Sequence, residues 1–131
     1  MGIVVKSKTK SEKYSCSSFN YVRGLVAEAI DEDLGKAYNY MTRIEYSDAD
    51  KIQDAEFVVK EVIQHNDLGG KNQDLIDFLF MPDEEGSVKP ETCKKIYDLI
   101  GRINLPFSGV SELADLCLDC YNNNSILTWS C

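Results

Sequence analysis

Residues 75–103, LIDFLFMPDEEGSVKPETCKKIYDLIGRI, constrain the fold more tightly than any other stretch of this chain. An apolar entry (Leu75, Ile76, Phe78, Leu79, Phe80, Met81) leads into an acidic turn, Pro82-Asp83-Glu84-Glu85-Gly86, and then into a helix signature. Pro90 suits the first helical turn, where a missing N–H costs nothing, and Glu91 favours the positive end of the helix dipole. Cys93, Ile96, Tyr97, Ile100 and Ile103 recur at steps of three and four, which predicts one buried stripe. Lys94, Lys95, Asp98 and Arg102 fall on the wet side. A stripe of this kind needs a core to pack on, and 131 residues are enough for one domain with no metal or disulfide staple.

The remaining elements follow from periodicity and caps. Gly2 to Val5 is β-branched and predicts a first strand. Residues 6–18 are polar, with Ser15, Ser17 and Ser18 clustered, and read as a loop. Ser18 is expected to cap a helix with the stripe Phe19, Val22, Val26, Ala29 and Ile30. Asp31-Glu32-Asp33 breaks that helix or starts another, and Leu34, Ala37, Tyr38 and Met41 continue the period to Arg43. Ser47 and Asp50 have capping spacing for a third helix whose stripe is Ile52, Ala55, Val58 or Val59, Val62 and Ile63. Gly69-Gly70 ends it. Residues 74–81 are too short for periodicity to separate helix from strand. Residues 104–109, with Pro106, read as a loop, and Ser111 is expected to cap a helix through Tyr121. SILTWS, Ser125 to Ser130, reads as a closing strand. The clear strands lie at the two termini. The expected fold is therefore α+β, a single domain over residues 1–131, mostly helical, with a small antiparallel sheet formed near the chain termini.

Composition narrows the function classes. The apolar fraction of 44% and charged fraction of 27% are those of a globular protein. No run is long enough to span a membrane, and the three-residue apolar patch ahead of the first lysines reverses the order of a secretory signal. A cytoplasmic location is expected. Five cysteines (Cys16, Cys93, Cys117, Cys120, Cys131) at irregular spacing do not form a secreted disulfide framework. Residues 1–23 hold five basic side chains against Glu12, a balance of +4, which leaves −12 for residues 24–131. That excess argues against direct contact with nucleic acid, which needs a basic face, and fits a protein partner with a basic surface.

Sites of chemistry are sparse. Aligning Gly86 with the sixth position of a calcium loop puts Met81 first and Thr92 twelfth, so both key carboxylates are missing. Cys117-Leu-Asp-Cys120 lacks a second ligand pair for zinc and lies late in a helix, which favours core packing over redox chemistry. His65, the one histidine, has only Asp67 near it in sequence. No nucleophile elbow, phosphate loop or zinc-protease motif is present. No catalytic residue, metal or cofactor is expected. The candidate partner-binding residues are the acidic turn (Asp83, Glu84, Glu85), the off-stripe tyrosines Tyr21 and Tyr40, and the cluster Glu28, Asp31, Glu32 and Asp33. The turn is expected to project without contributing to folding. An alternative assigns Lys6, Lys8, Lys10 and Arg23, near the Ser-rich segment, to the phosphates of a sequestered small molecule or signalling nucleotide.

Three pieces resemble a loose group of small bacterial and phage proteins. They are the Met-Gly start with its β run, the Ser-rich turn into Phe19-Asn20-Tyr21-Val22-Arg23, and Asp83-Glu84-Glu85-Gly86 leading to Pro90-Glu91-Thr92-Cys93-Lys94-Lys95-Ile96. Part of the group is similar to immunity proteins of polymorphic toxin systems, which often read His-Ser-Asp where this chain has Met81-Pro82-Asp83. The resemblance implies a non-enzymatic inhibitor used in bacterial or phage conflict, either toxin immunity or an anti-defence, anti-CRISPR-like block of a nucleic-acid-handling protein.

Overall fold

The computed structural model describes residues 2–43, 49–103 and 108–131, without the side chain of Ser108. The expected cap at Ser47 and the loop around Pro106 lie outside the described residues. Four strands, β1 (Gly2–Lys6), β2 (Ser11–Ser15), β3 (Glu85–Val88) and β4 (Leu127–Ser130), form one antiparallel sheet in the order β2-β1-β4-β3. Six helices accompany it among the described residues: α1 (Cys16–Ile30), α2 (Glu32–Thr42), α3 (Ala49–His65), α4 (Gln73–Phe80), α5 (Pro90–Ile100) and α6 (Ser108–Asn122). The α+β class and the pairing of the first and last strands are as the sequence predicts.

The sheet is two-faced because its side chains alternate. Ile3, Val5, Tyr14, Val88, Leu127 and Trp129 are buried, while Lys6, Ser11, Lys13, Glu85, Ser87 and Ser130 are exposed. Trp129 fixes the far end. Its indole lies across Gly86, where an added Cβ would come within 2.0 Å of a ring carbon, so only glycine fits opposite it. The indole N–H donates to the Pro82 carbonyl at 3.0 Å, and the ring meets Phe19 and Phe78 at centroid distances of 5.3 and 5.9 Å.

Asp31 joins α1 to α2. Its N–H donates to Ala27 O at 3.0 Å and closes α1, while its carboxylate accepts from Leu34 N at 3.0 Å and opens α2. The two helices then approach closely at Gly35, where a Cβ would lie 2.8 Å from the Glu28 backbone. The third helix has much less cover. Only Ala55 and Val59 are buried, and Phe57 and Val58 face water.

Four local expectations need correction. Part of the expected loop over residues 6–18 is β2, a polar strand whose one fully buried side chain is Tyr14; its pairing with β1 determines its structure rather than its own hydropathy. The cap of α1 is Ser15, which accepts from Ser18 N at 3.0 Å, so the helix starts three residues earlier than expected. The last helix likewise starts at Ser108 and not at Ser111. The acidic turn does not project as a unit. Glu85 and Gly86 are already strand β3, and Asp83 is ion-paired to Arg23, whose side chain is only 2% exposed.

That pair changes the expected effect of removing the acidic turn. Asp83→Asn strips the counter-charge from a buried guanidinium, which costs about 3–5 kcal/mol in fully buried pairs. Because Asp83 keeps 25% of its side chain in water, the lower end applies, about 3 kcal/mol. Glu84→Gln and Glu85→Gln should each change stability by less than about 0.5 kcal/mol. Urea midpoints of the three single variants check the contrast, and three equal midpoints would contradict the assignment.

Candidate functional site

Arg23 lies on the apolar stripe of α1, between Phe19 and Val26, and that position forces a polar pocket into the core. Its guanidinium stacks on Phe19 at 4.6 Å from the ring centroid. One amino group donates to Phe78 O at 3.2 Å and Met81 O at 2.8 Å, closing the C-terminal end of α4. The other donates to Asn20 Oδ1 at 3.1 Å and pairs with Asp83. The Tyr38 hydroxyl donates to the same Asn20 oxygen at 3.3 Å, and Asn20 Nδ2 donates to Asp83 Oδ2 at 3.3 Å. Arg23 Nε is buried with no acceptor among the described residues. Burial pushes the Tyr38 hydroxyl up to about 12, with Asp83 adding to the shift and Arg23 opposing it.

This network forms one wall of a cleft of about 750 Å³ between α1, α2, α3 and the segment joining α4 to β3. Ile52, Leu79, Phe80 and Met81 supply its apolar lining, and Glu56 and Glu84 line it as well. Both of these carboxylates are exposed, and neither makes an ion pair among the described residues. Arg23 is already balanced by Asp83, so the cleft is net acidic. Its volume lies in the range of sites that accept a small ligand or a partner side chain.

The sequence candidates fall in different places. Asp83 and Glu84 line the cleft, whereas Glu85 is on the uncovered face of the sheet. Tyr21 and Tyr40 are 49% and 50% exposed on α1 and α2, outside the cleft lining. Glu28 is exposed on α1. Asp31 and Asp33 both accept from Asn66 Nδ2 at 3.0 Å and anchor the end of α3, while Glu32 sits 3.5 Å from Lys36. Lys6, Lys8 and Lys10 are exposed in and beside the β1–β2 hairpin, and the buried Arg23 does not join them. The hairpin already holds an anion. Asp119 accepts from Ser7 Oγ at 2.6 Å, Thr9 N at 2.9 Å and Thr9 Oγ1 at 3.0 Å. These bonds, that of Ser7 first, hold the Asp119 carboxyl below its ordinary range.

Cys93, Cys117 and Cys120 are buried between α5 and α6, and burial raises Cys120 to about 11, so it stays a neutral, unreactive thiol. Cys16 and Cys131 are exposed at the cleft. Asn20, Tyr38 and Glu56 are not among the site residues that the sequence suggests, and Tyr38 reads there only as part of an apolar helical period. The signal for the first was an arginine on an apolar helix face, which requires polar neighbours. No family model matches the chain, and no curated protein or solved structure is detectably similar to it.

Tyr38 yields a pH test. Its pKa is raised from 10.0 in the folded state, so the unfolded chain ionises first, and stability present below pH 10 is lost as the pH rises through about 12. Tyr14, pushed up chiefly by burial, acts in the same direction. The urea midpoint should fall across this window, and less steeply in Tyr38→Phe. Identical slopes in the two proteins would contradict the burial of this hydroxyl.

Proposed function

We propose that this chain is a non-enzymatic inhibitor that binds a basic protein surface, with the acidic cleft as the receptor for a lysine or arginine side chain. The observation that carries this reading is the pair of unbalanced carboxylates, Glu56 and Glu84, beside an apolar lining. An aliphatic stem would lie against Ile52, Phe80 and Met81 while its cationic head meets the carboxylates. The charge of −12 over residues 24–131 would steer such a partner toward the cleft. Exposed Tyr21 and Tyr40 add amphipathic contact area nearby in the chain. The partner class is a toxin or a nucleic-acid-handling protein whose basic groove would be covered, in the setting of bacterial or phage conflict.

The ligand-sequestering alternative has less support. Arg23 is committed to Asp83, and the Ser7 and Thr9 donors are committed to Asp119. What remains for a phosphate is three exposed lysines.

Affinity purification at low and high salt, with Glu56→Lys/Glu84→Lys as the control, tests the reading. Binding should weaken as salt rises, and the double variant should bind at least about tenfold more weakly with an unchanged melting temperature. Salt-indifferent binding, or full affinity in the variant, would remove its basis. A thermal-shift screen against mono-, di- and cyclic nucleotides addresses the alternative, which requires a clear rise in melting temperature.

A further inference from the structure

The sheet ends on β3, and the outer edge of that strand is open. The Cys131 amide donates to the Glu84 carbonyl at 3.1 Å, and the β3–β4 register places these two residues opposite each other. Hydrogen-bonded and non-hydrogen-bonded pairs alternate along an antiparallel ladder. Gly86 and Val88 therefore turn their peptide groups toward β4, and Glu85 and Ser87 turn theirs outward. Among the described residues nothing pairs with the outward N–H and C=O groups of Glu85 and Ser87. A second cleft, of about 770 Å³, runs beside this edge. It is lined by Met81, Pro82 and the residues of β3 and β4 around Gly86 and Trp129.

We propose that the β3 edge is a docking site for an extended strand of a basic partner, added to the sheet as a fifth strand. The proposal rests on the reading of the chain as an acidic protein binder and names the mode of contact. Two outward donor–acceptor pairs at alternate residues match the backbone of a strand, and the adjoining cleft offers room for an alternate side chain. Charge selects the occupant. Glu84 and Glu85 flank the edge and favour lysine or arginine in the added strand. They also disfavour a second copy of this chain, because the edge would then meet a strand of its own negative charge. The opposite edge, β2, carries Lys13, with Lys8 and Lys10 at its turn, and would repel the same partner.

The probe is a synthetic peptide of alternating lysine and valine, compared with the same peptide N-methylated at every second residue. Ser87→Pro is the matching protein variant, since it removes an outward N–H without touching the β4 ladder. The unmodified peptide should bind and slow amide exchange at Glu85 and Ser87. N-methylation, or Ser87→Pro, should weaken it at least about tenfold. The comparison of the two peptides on the wild-type protein decides the matter even if Ser87→Pro folds poorly. No binding at millimolar peptide, equal binding of the methylated peptide, or protection that avoids β3 would each overturn strand addition. Glu56→Lys separates the two readings: loss of the protein partner with peptide binding retained counts against neither the edge nor the cleft and supports both. If the peptide fails while a protein partner still binds in a salt-dependent way, only the strand-addition proposal falls.

Discussion

A single buried charge organises this fold. Arg23 enters the core on an apolar helix face, and everything around it answers the cost of removing a guanidinium from water. Asp83 supplies the opposite charge, Phe78 and Met81 supply carbonyls, Asn20 supplies an amide oxygen, and Phe19 supplies a ring face. These partners come from α1, the end of α4 and the segment before β3. The arginine therefore sets where α4 stops and where the chain turns into the sheet. Trp129 locks the same corner from the other side through the Pro82 carbonyl and the space left by Gly86.

The polar groups outside this corner follow the same logic at lower stakes. Asp119 plugs the β1–β2 hairpin from α6, Asn66 ties α3 to the acidic start of α2, and Asp74 joins α4 to α5 by accepting from Thr92 at 2.8 Å and Lys95 at 3.0 Å. Much of the acidic excess is thus employed inside the structure. Of the carboxylates left for a partner, Glu56, Glu84 and Glu85 lie where the cleft meets the sheet edge, while Glu28, Glu91 and Asp115 are exposed on α1, α5 and α6.

Helices with a clean apolar period were legible in the sequence. The stripe of the fifth helix, with Cys93, Ile96 and Ile100 buried, lies where three- and four-residue spacing put it. Leu99 joins that stripe, although the sequence reading omitted it. Strands whose structure comes from their neighbours were not legible. Ser11–Ser15 and Glu85–Val88 each have one fully buried side chain, too few to show a two-residue period. The site was half legible. Asp83 and Glu84 stood out as charge, but their separate roles depend on Arg23, which lies 60 positions from Asp83. Tyr38 carries no local signature, and Asn20 has only that of Arg23 one helical turn away, since an asparagine and a tyrosine on a helix are ordinary until a buried charge stands between them.

The strand order also bears on the sequence of assembly. β4 is the last of the described strands in chain order and lies between β1 and β3. Until residues 127–130 arrive, the β1–β2 hairpin and β3 have no common neighbour, and Gly86 has no indole above it. Closing the β1–β4 pair joins contacts separated by most of the chain length, which makes it a slow and late step relative to the local helix pairs. During synthesis the acidic edge would therefore come into existence only after residues 127–130 had been made. A surface built this way is coupled to completion of the fold: a partially made chain carries the residues of the edge without its shape.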